Sequence, residues 1–261
     1  MCIVEHEETG MACGMDLGSR SVKVVCMESG RVEKTVYDTV GFYRDFGRIV
    51  DAELSISFEK LGIAPSCITV TGYGRNTVRV KGARVISEVR AHTMGAMQVT
   101  GLKDFTLLDI GGQDTKVAKV AGGMLEDFTM NDKCAASSGR YIENMAAILE
   151  MGLDEISLHY DHPVQLSATC AIFGESEIIQ RIAEGAPREA LAAGVNLTIA
   201  KRVLPMLNRF PVGPIVFSGG VAKNGAVRAI LSRLTHREII ALPDPSFTGA
   251  LGCASQVPYN T

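Results

Sequence analysis

Two cysteines stand out in this chain because their neighbours are polar and glycine-bearing. Cys134 lies in M-N-D-K-C-A-A-S-S-G-R, and Cys170 lies in A-T-C-A-I-F-G-E-S-E. Each precedes a stretch with the apolar spacing of an amphipathic helix, residues 141–149 and 172–182. A helix N-terminus offers partial positive charge and free N–H donors, which lower the pKa of a thiol and favour bound anions. Both thiols are therefore candidate metal ligands.

The spacing of these cysteines leaves several readings open. A cubane iron–sulfur cluster takes four thiolates, and a symmetric dimer would supply two from each chain around one axis. A zinc ion at the same interface is an alternative. From the residues alone, two inert cysteines at helix starts are the simpler interpretation. The remaining five, Cys2, Cys13, Cys26, Cys67 and Cys253, carry no assigned chemistry, and a reducing compartment predicts no disulfide.

A glycine loop near the N-terminus is typical of a phosphate-binding hairpin. Residues 11–27 predict strand, tight turn and strand, with Asp16 at the end of the first strand. That carboxylate is suited to hold Mg²⁺ through water while backbone N–H groups meet phosphate oxygens. An ordinary hairpin turn remains the alternative. The candidate nucleotide contacts of this loop are Gly18, Ser19, Arg20, Ser21 and Lys23.

The same pattern recurs in F-T-L-L-D-I-G-G-Q-D-T-K-V, which begins at Phe105. Two D-[IL]-G loops between strands form an internal repeat and predict two similar halves. Asp16 and Asp109 would then flank a metal, and Gln113 would orient the attacking water. Asp114 either contacts nucleotide or holds Thr115 or Lys116. The further candidate nucleotide contacts are Gly111, Gly112, Gln113 and Asp114, and, in the later turn S-G-G-V-A-K-N, Gly219, Gly220 and Lys223.

The order of these motifs resembles that of the actin, heat-shock-chaperone and sugar-kinase ATPase superfamily. D-L-G-S-R-S, D-I-G-G-Q-D-T, F-S-G-G-V-A-K-N and G-A-L-G-C-A are similar to its two phosphate motifs, its adenosine motif and its second connecting motif. Together with V-T-G-Y-G-R, M-N-D-K-C-A-A and the T-C-x-x-F-x-E-S-E run, they resemble the activator, or component A, of 2-hydroxyacyl-CoA dehydratases. That family includes the ATPase subunits of benzoyl-CoA reductase.

The resemblance implies an α/β fold of two ribonuclease-H-like halves flanking a nucleotide cleft. It implies ATP or ADP with Mg²⁺, and one 4Fe–4S cluster per homodimer ligated by Cys134 and Cys170. It further implies a ferredoxin or flavodoxin as reductant and an acyl-CoA dehydratase or reductase as the electron acceptor. Two positions depart from the family pattern: Ser137-Ser138 replaces Gly-Thr, a loss of glycine that should slightly stiffen the helix, and Arg20 replaces a threonine.

Composition limits the alternatives. The 261 residues are 46% hydrophobic with a net charge of −3, which indicates a buried core and no nucleic-acid partner. No apolar run of eighteen residues and no secretory signal are present, so we expect no membrane span and a cytoplasmic location. The expected domains are a tail at 1–12, domain I at 13–98 with 249–261, and domain II at 99–248.

Other segments give weaker expectations. Residues 32–40 predict a third strand, while 45–61, 86–97 and 183–207 predict helices. We expect His92 to be packed or exposed rather than a ligand, and the histidines at 159 and 162 to be solvated. Asn196 is expected at the cleft, and the acidic run 175–177 is expected to start the second cysteine's helix. The rival functions are a small-molecule kinase of the same superfamily and a nucleotide-switched binding protein.

Overall fold

The computed structural model describes residues 10–51, 53–132, 137–167 and 171–255, with residues 171–173 described by their backbone alone. The strands of this part of the chain are β1 (Ala12–Leu17), β2 (Ser21–Glu28), β3 (Arg31–Asp38), β4 (Gly47–Val50), β5 (Glu53–Ile56), β6 (Cys67–Thr71), β7 (Val78–Arg79), β8 (Arg84–Val85), β9 (Phe105–Ile110), β10 (Thr115–Ala121), β11 (Met124–Asn131), β12 (Ile215–Ser218) and β13 (Ile239–Ala241). Its helices are α1 (Thr39–Phe46), α2 (Phe58–Leu61), α3 (Glu88–Thr100), α4 (Gly139–Ile148), α5 (Leu153–Ile156), α6 (Ala171–Ala183), α7 (Arg188–Asn208), α8 (Gly225–Thr235) and α9 (Thr248–Ala254).

The chain divides into two compact units, and both contain the same kind of sheet. Unit 1 comprises Met1–Gly101 and Ser246–Thr261, and unit 2 comprises Leu102–Pro245. Unit 1 has the strand order β3-β2-β1-β6-β8, and unit 2 has the order β11-β10-β9-β12-β13. In each sheet the first three strands form an antiparallel meander and the last two run parallel to the central strand. The predicted internal repeat is therefore present, including β3 as the third strand of its hairpin.

The central strand of each sheet is buried along its whole length. β1 and β9 each show six consecutive buried residues, which matches their largely apolar sequences. In unit 2 the core joins this sheet to α4, α7 and α8 through side chains such as Tyr141, Val203 and Leu231. Among the described residues, α7 is the one helix long and apolar enough to cross a bilayer, but 56% of its apolar stretch is buried, as in a core helix.

The helix predicted at 45–61 is wrong. The structure has the end of α1, the hairpin β4–β5 and the short α2 there. A side chain at Gly47 would lie 2.2 Å from the carbonyl oxygen of Tyr43, and Asp51 turns the chain with a φ of 51°. Ile49, which would lie on the apolar face of such a helix, is 70% exposed. The helical spacing was produced by side chains of separate elements.

The expectation that no disulfide forms is also wrong, because Cys13 and Cys26 are bonded to each other. The two residues are direct register partners on β1 and β2. Antiparallel pairing brings such partners within reach of a disulfide. Both sulfurs lie in the buried core of unit 1, beside residues such as Met15 and Val24.

The helix α9 packs closely on α3 and on the sheet within unit 1. A Cβ at Gly252 would lie 1.9 Å from the carbonyl oxygen of Ala91, and one at Gly14 would lie 2.0 Å from that of Ala250. No side chain fits at either contact, which explains the small-residue sequence of α9. This close approach places the N-terminal end of α9 beside the end of β1.

We predict that Gly252→Ala destabilises the protein by about 1–3 kcal/mol, since the methyl group must push α9 away from α3. Gly41→Ala is the matched control, because a Cβ on that helical glycine would have its nearest neighbour at 3.5 Å. The control should be neutral or slightly stabilising. Urea unfolding of both variants measures the difference, and equal midpoints would contradict the packing described for α9.

Candidate nucleotide site

In unit 2, Asp109 ends the central strand with its carboxylate buried. Ser218 of β12 donates a hydrogen bond of 2.8 Å from its Oγ to Oδ1 of Asp109. Lys116, the register partner of Asp109 on β10, places its Nζ 3.6 Å from Oδ2. The lysine and aspartate side chains are only 4% and 3% exposed. A buried carboxylate stays charged only when such partners replace water.

Lys116 also closes the glycine loop that follows Asp109. Its Nζ donates a hydrogen bond of 2.5 Å to Oδ2 of Asp114. The backbone of Asp114 in turn accepts from the N–H of Gly111 at 3.0 Å. Lys116 thus pairs with Asp109 before the loop and with Asp114 after it. Of the two roles predicted for Asp114, this contact agrees with the one in which it holds Lys116. Lys116 itself was not among the site residues predicted from the sequence.

The loop between these contacts has backbone donors available. Among the described residues, the N–H groups of Gly112 and Gln113 donate no hydrogen bond. The side chain of Gln113 is exposed, while both glycines are partly buried. Consecutive unpaired N–H groups in a tight loop are a typical phosphate-binding arrangement. The structure therefore places Gln113 at the tip of a loop that is suited to bind an anion.

The predicted adenosine turn begins at Gly219, directly after Ser218. Gly219 has a φ of 83°, and a Cβ there would lie 2.8 Å from Oδ1 of Asp109. Glycine is needed for both reasons. The following residues form a 3-10 turn, Gly220–Lys223, in which Gly220 and Lys223 are exposed. A planar group can therefore approach the backbone of this turn.

Asn196 does not serve this turn from an exposed position. It is fully buried in unit 2, where its Nδ2 donates to the carbonyl oxygens of Ile156 and His159. Its Oδ1 accepts from Asn224, whose own side chain caps α8 by accepting from Val227. Asn196 therefore fixes the base of α8 rather than contacting ligand.

In unit 1, Asp16 occupies the place that Asp109 has in unit 2. It is mostly buried, and its register partner on β2 is Lys23, whose Nζ lies 3.9 Å from Oδ2. The predicted loop Gly18, Ser19, Arg20 and Ser21 follows, with Ser19 and Arg20 exposed. Thr39 holds this loop, because its Oγ1 donates to the carbonyl oxygen of Gly18 at 2.8 Å.

The two carboxylates differ in how well they are satisfied. Thr71 stands where unit 2 has Ser218, but its hydroxyl donates to the carbonyl oxygen of Ile86 instead. Asp16 accepts no hydrogen bond from the described residues, and Lys23 is its one ion-pair partner among them. The negative charge of Asp16 adds to burial in raising the pKa of Tyr43. Of the two carboxylates, Asp16 is therefore the one with oxygen lone pairs available to coordinate a metal ion.

His92 lies beside Asp16. The imidazole is buried, as one of the two expected alternatives had it, and α9 brings Gly249 against it. A Cβ at Gly249 would lie 2.7 Å from Nε2 of His92 and 3.3 Å from Oδ2 of Asp16. The two polar groups therefore converge on one point, which the sequence did not reveal because β1, α3 and α9 are far apart in the chain.

Unit 1 also repeats the glycine turn of unit 2. Gly72 follows β6 with a φ of 95°, and a Cβ there would lie 2.5 Å from Oδ1 of Asp16. A 3-10 turn, Tyr73–Asn76, follows it, as in unit 2. The G-Y-G sequence is typical of a turn, but only the matching strand order identifies it as the counterpart of Gly219.

The proposed cluster ligands Cys134 and Cys170 lie outside the described residues. The helices α4 and α6 begin close after them in sequence, at Gly139 and Ala171. Cys67 and Cys253 are free thiols. Burial raises the pKa of each, and the charge of Asp16 adds to the shift of Cys253. In the described ranges, no three metal-ligating side chains converge on one point. The histidines at 159 and 162 therefore belong to no such group.

The acidic run on α6 is not at the helix start, contrary to expectation. Because α6 begins at Ala171, Glu175 and Glu177 lie in its second turn. The carboxylate of Glu177 accepts from the N–H of Ser167 at 2.8 Å and from its Oγ at 2.9 Å. Glu177 therefore anchors the segment that leads toward Cys170.

Comparison with known proteins decides the family. The model of the BadF/BadG/BcrA/BcrD ATPase family matches residues 13–255. The chain belongs to this ATPase family. It is 36% identical over 252 residues to the 2-hydroxyisocaproyl-CoA dehydratase activator of Clostridioides difficile, covering 92% of each chain. It is 35% identical over 251 residues to the (R)-2-hydroxyglutaryl-CoA dehydratase activating ATPase of Acidaminococcus fermentans, covering 92% of this chain and 94% of the relative.

The fold agrees with this family. The solved activator of the 2-hydroxyisocaproyl-CoA dehydratase of Clostridium difficile, with bound ADPNP, superposes with a TM-score of 0.80 at 34% identity. The match covers 94% of this chain and 92% of that structure. The predicted α/β architecture of the actin-like ATPases is confirmed, with one repeat-related sheet in each unit.

We predict that Lys116→Met destabilises the protein by about 3–5 kcal/mol, because it leaves the buried carboxylate of Asp109 without its cation. Lys119→Met is the matched control on the same strand. Lys119 pairs with Glu126 at 2.6 Å, but the two side chains are 35% and 44% exposed. The control should cost less than about 1 kcal/mol. Equal losses in urea unfolding would show that burial of the Lys116 pair carries no special cost.

Proposed function

We propose that this ATPase is an activator that transfers single electrons to an acyl-CoA dehydratase or a related reductase. A ferredoxin or flavodoxin would supply the electron, and ATP hydrolysis would drive its transfer. The observation that carries this proposal is the likeness to two dehydratase activators over 92% of the chain. The family match at residues 13–255 spans both glycine loops and the segments that contain Cys134 and Cys170.

Nucleotide and Mg²⁺ have suitable residues in both units. Asp16 would hold Mg²⁺ through water, because no described residue donates a hydrogen bond to its carboxylate. Backbone N–H groups of residues 18–21 and of Gly112 and Gln113 would contact phosphate, with Lys23 adding positive charge. The turn from Gly219 to Lys223 would accept the adenosine. Gln113, exposed at its loop tip, would orient the attacking water.

Cys134 and Cys170 of two chains would together hold one 4Fe–4S cluster, which supplies one-electron transfer when bound. A homodimer is supported by the surface of α6, the helix that follows Cys170. Ile179 and Ile182 lie one turn apart on it and are 53% and 40% exposed. Apolar side chains in this position are suited to a contact with a second copy. The cytoplasmic location remains a prediction.

We predict that Cys134→Ala and Cys170→Ala each abolish iron binding, since each removes half of the thiolates of a shared cluster. Wild-type protein purified without oxygen should contain about four irons per dimer. Cys67→Ala is the control, because burial raises the pKa of that thiol and disfavours the ligating thiolate. Titration with ADP should show unchanged stoichiometry in all three variants. A full iron load in either ligand variant would exclude that residue.

Gln113→Ala should lower the rate of ATP hydrolysis by about 10²-fold, since the attacking water loses its orienting group. ADP affinity should change little, because the proposed phosphate contacts of this loop are backbone groups. Gln98→Ala, an exposed glutamine on α3, is the control. Hydrolysis is measured as phosphate release at saturating ATP. A loss confined to nucleotide affinity would assign Gln113 to binding instead.

The function itself is tested by electron transfer. Reduced protein is mixed anaerobically with 2-hydroxyisocaproyl-CoA or (R)-2-hydroxyglutaryl-CoA dehydratase, in the presence of ATP or of its non-hydrolysable analogue. Dehydratase activity that requires both this protein and hydrolysable ATP is the expected result. Iron-free protein that hydrolyses ATP without acceptor-linked electron flow would overturn the proposal and leave a nucleotide switch.

A further inference from the structure

The start of α4 is hydrogen-bonded to the carbonyl groups of the phosphate loop in unit 2. The N–H of Gly139 donates to the carbonyl oxygen of Gly111 at 2.9 Å, and the N–H of Arg140 donates to that of Gly112 at 3.0 Å. The hydroxyl of Ser138 donates to the carbonyl oxygen of Gly112 as well, at 3.1 Å. The helix that follows Cys134 therefore begins directly on the loop that is proposed to bind phosphate.

These bonds replace the usual cap of a helix. The first N–H groups of any helix have no partner within it, and a side chain of the N-cap residue commonly accepts from them. Ser138 is the N-cap of α4, but its side chain makes no such bond to the helix. Carbonyl groups of the loop take that role. The first turn of α4 is consequently stable only in the geometry that the loop provides.

A second set of contacts fixes the residue before the cap. The hydroxyl of Thr115 donates to the carbonyl oxygen of Ser137 at 2.6 Å, and Asn131 donates from Nδ2 to the Oγ of Ser137 at 2.9 Å. A glycine, the residue common in the family at this position, could not accept the second bond. Ser137 precedes the helix, so the expectation that its change from glycine stiffens α4 from within is wrong. It stiffens the attachment of α4 instead.

The start of α4 is closely packed against both loops of unit 2 that are proposed to contact nucleotide. A Cβ at Gly139 would lie 3.1 Å from the carbonyl oxygen of Gly111 and 3.4 Å from Cγ2 of Val221. Val221 belongs to the 3-10 turn that is proposed to hold adenosine. If either of these loops moves, it displaces the start of α4, since close-packed atoms transmit displacement rather than absorbing it.

The contact continues from α4 to α6, the helix that follows Cys170. Tyr141 is fully buried on α4, and a Cβ at Gly174 of α6 would lie 3.5 Å from its Cε2. The guanidinium group of Arg202 on α7 covers the same ring at 4.9 Å from its centroid. The two helices next to the candidate cluster ligands are thus packed together, with the rigid side chain of Tyr141 at their contact.

We propose that the peptide groups Gly111–Gly112 and Gly112–Gln113 transmit the state of the nucleotide to α4. Each group is planar and trans, so its N–H and its C=O point in opposite directions. The N–H groups of Gly112 and Gln113 are the unpaired donors of the phosphate loop, while the C=O groups of Gly111 and Gly112 cap α4. A phosphate bound on one side therefore orients the helix cap on the other.

Ser138 is the positioning residue of this link. Its hydroxyl adds a second hydrogen bond between α4 and the carbonyl group of Gly112. In the proposed function, on which this inference rests, Ser138 contacts neither nucleotide nor cluster. Loss of γ-phosphate would release the two peptide groups to rotate, and the first turn of α4 would lose its cap. When the N–H of a peptide group donates to phosphate, its C=O becomes a stronger acceptor for the N–H groups of α4. This polarisation makes the link cooperative.

Hydrogen exchange measured by mass spectrometry tests the link without requiring a cluster. Wild-type protein is compared with ADP and with a non-hydrolysable ATP analogue. We expect the analogue to protect both residues 110–115 and the first turn of α4, by about five-fold or more relative to ADP at α4. Ser138→Ala should keep the protection of 110–115 but lose most of that at α4. Ser138→Thr should restore it, because the hydroxyl returns.

Ser232→Ala is the control, since among the described residues that hydroxyl bonds only to the carbonyl oxygen of Arg237, just after α8. Protection of the loop without any response of α4 in wild-type protein would overturn the link while leaving the proposed ATPase intact. No response at 110–115 would overturn both. In the dehydratase assay, Ser138→Ala should hydrolyse ATP but transfer fewer electrons per ATP than wild type or Ser138→Thr.

Discussion

A carboxylate buried at the end of a central strand needs compensation, and this constraint organises both units. Asp109 has a lysine on the neighbouring strand and a serine on the parallel strand, both within contact distance. Asp16 has the equivalent lysine farther away, and the equivalent hydroxyl is directed elsewhere. The two units therefore share their strand order but differ in the partners that compensate the buried carboxylate. We infer that Asp109 holds its loop in place, while Asp16 retains the capacity to coordinate.

The sequence predicted those features that depend on local chemistry. D-L-G and D-I-G-G between β-rich runs indicated two hairpins, and the structure has them with matching strand orders. It failed at 45–61, where apolar residues at helical spacing belong to α1, a hairpin and α2. Gly47 and Asp51 were the signals for a break, since glycine and aspartate are common in turns. The apolar spacing nevertheless continues across this break, because α1, the hairpin and α2 each contribute apolar residues to it.

Contacts between distant segments were beyond the sequence for a physical reason. The Lys116–Asp109 pair follows from hairpin register, which the repeat made predictable in principle, and the Cys13–Cys26 bond follows from register in the same way. The approach of Ser218 to Asp109, or of His92 and Gly249 to Asp16, depends on strand order and helix packing instead. No local pattern encodes these. The candidate site could therefore be located from the sequence, whereas its electrostatic balance required the fold.

The mode of capping separates α4 from four other helices of this protein. Helices α1, α2, α3 and α8 begin with side chains that accept from their own first turn, namely those of Asp38, Ser57, Ser87 and Asn224. A cap of that kind contributes about 1 kcal/mol and holds whatever the rest of the molecule does. α4 has a serine at the same position but uses it to bind the phosphate loop. Its first turn therefore depends on the loop, and a helix whose start depends on a ligand-binding loop is suited to report the state of the ligand.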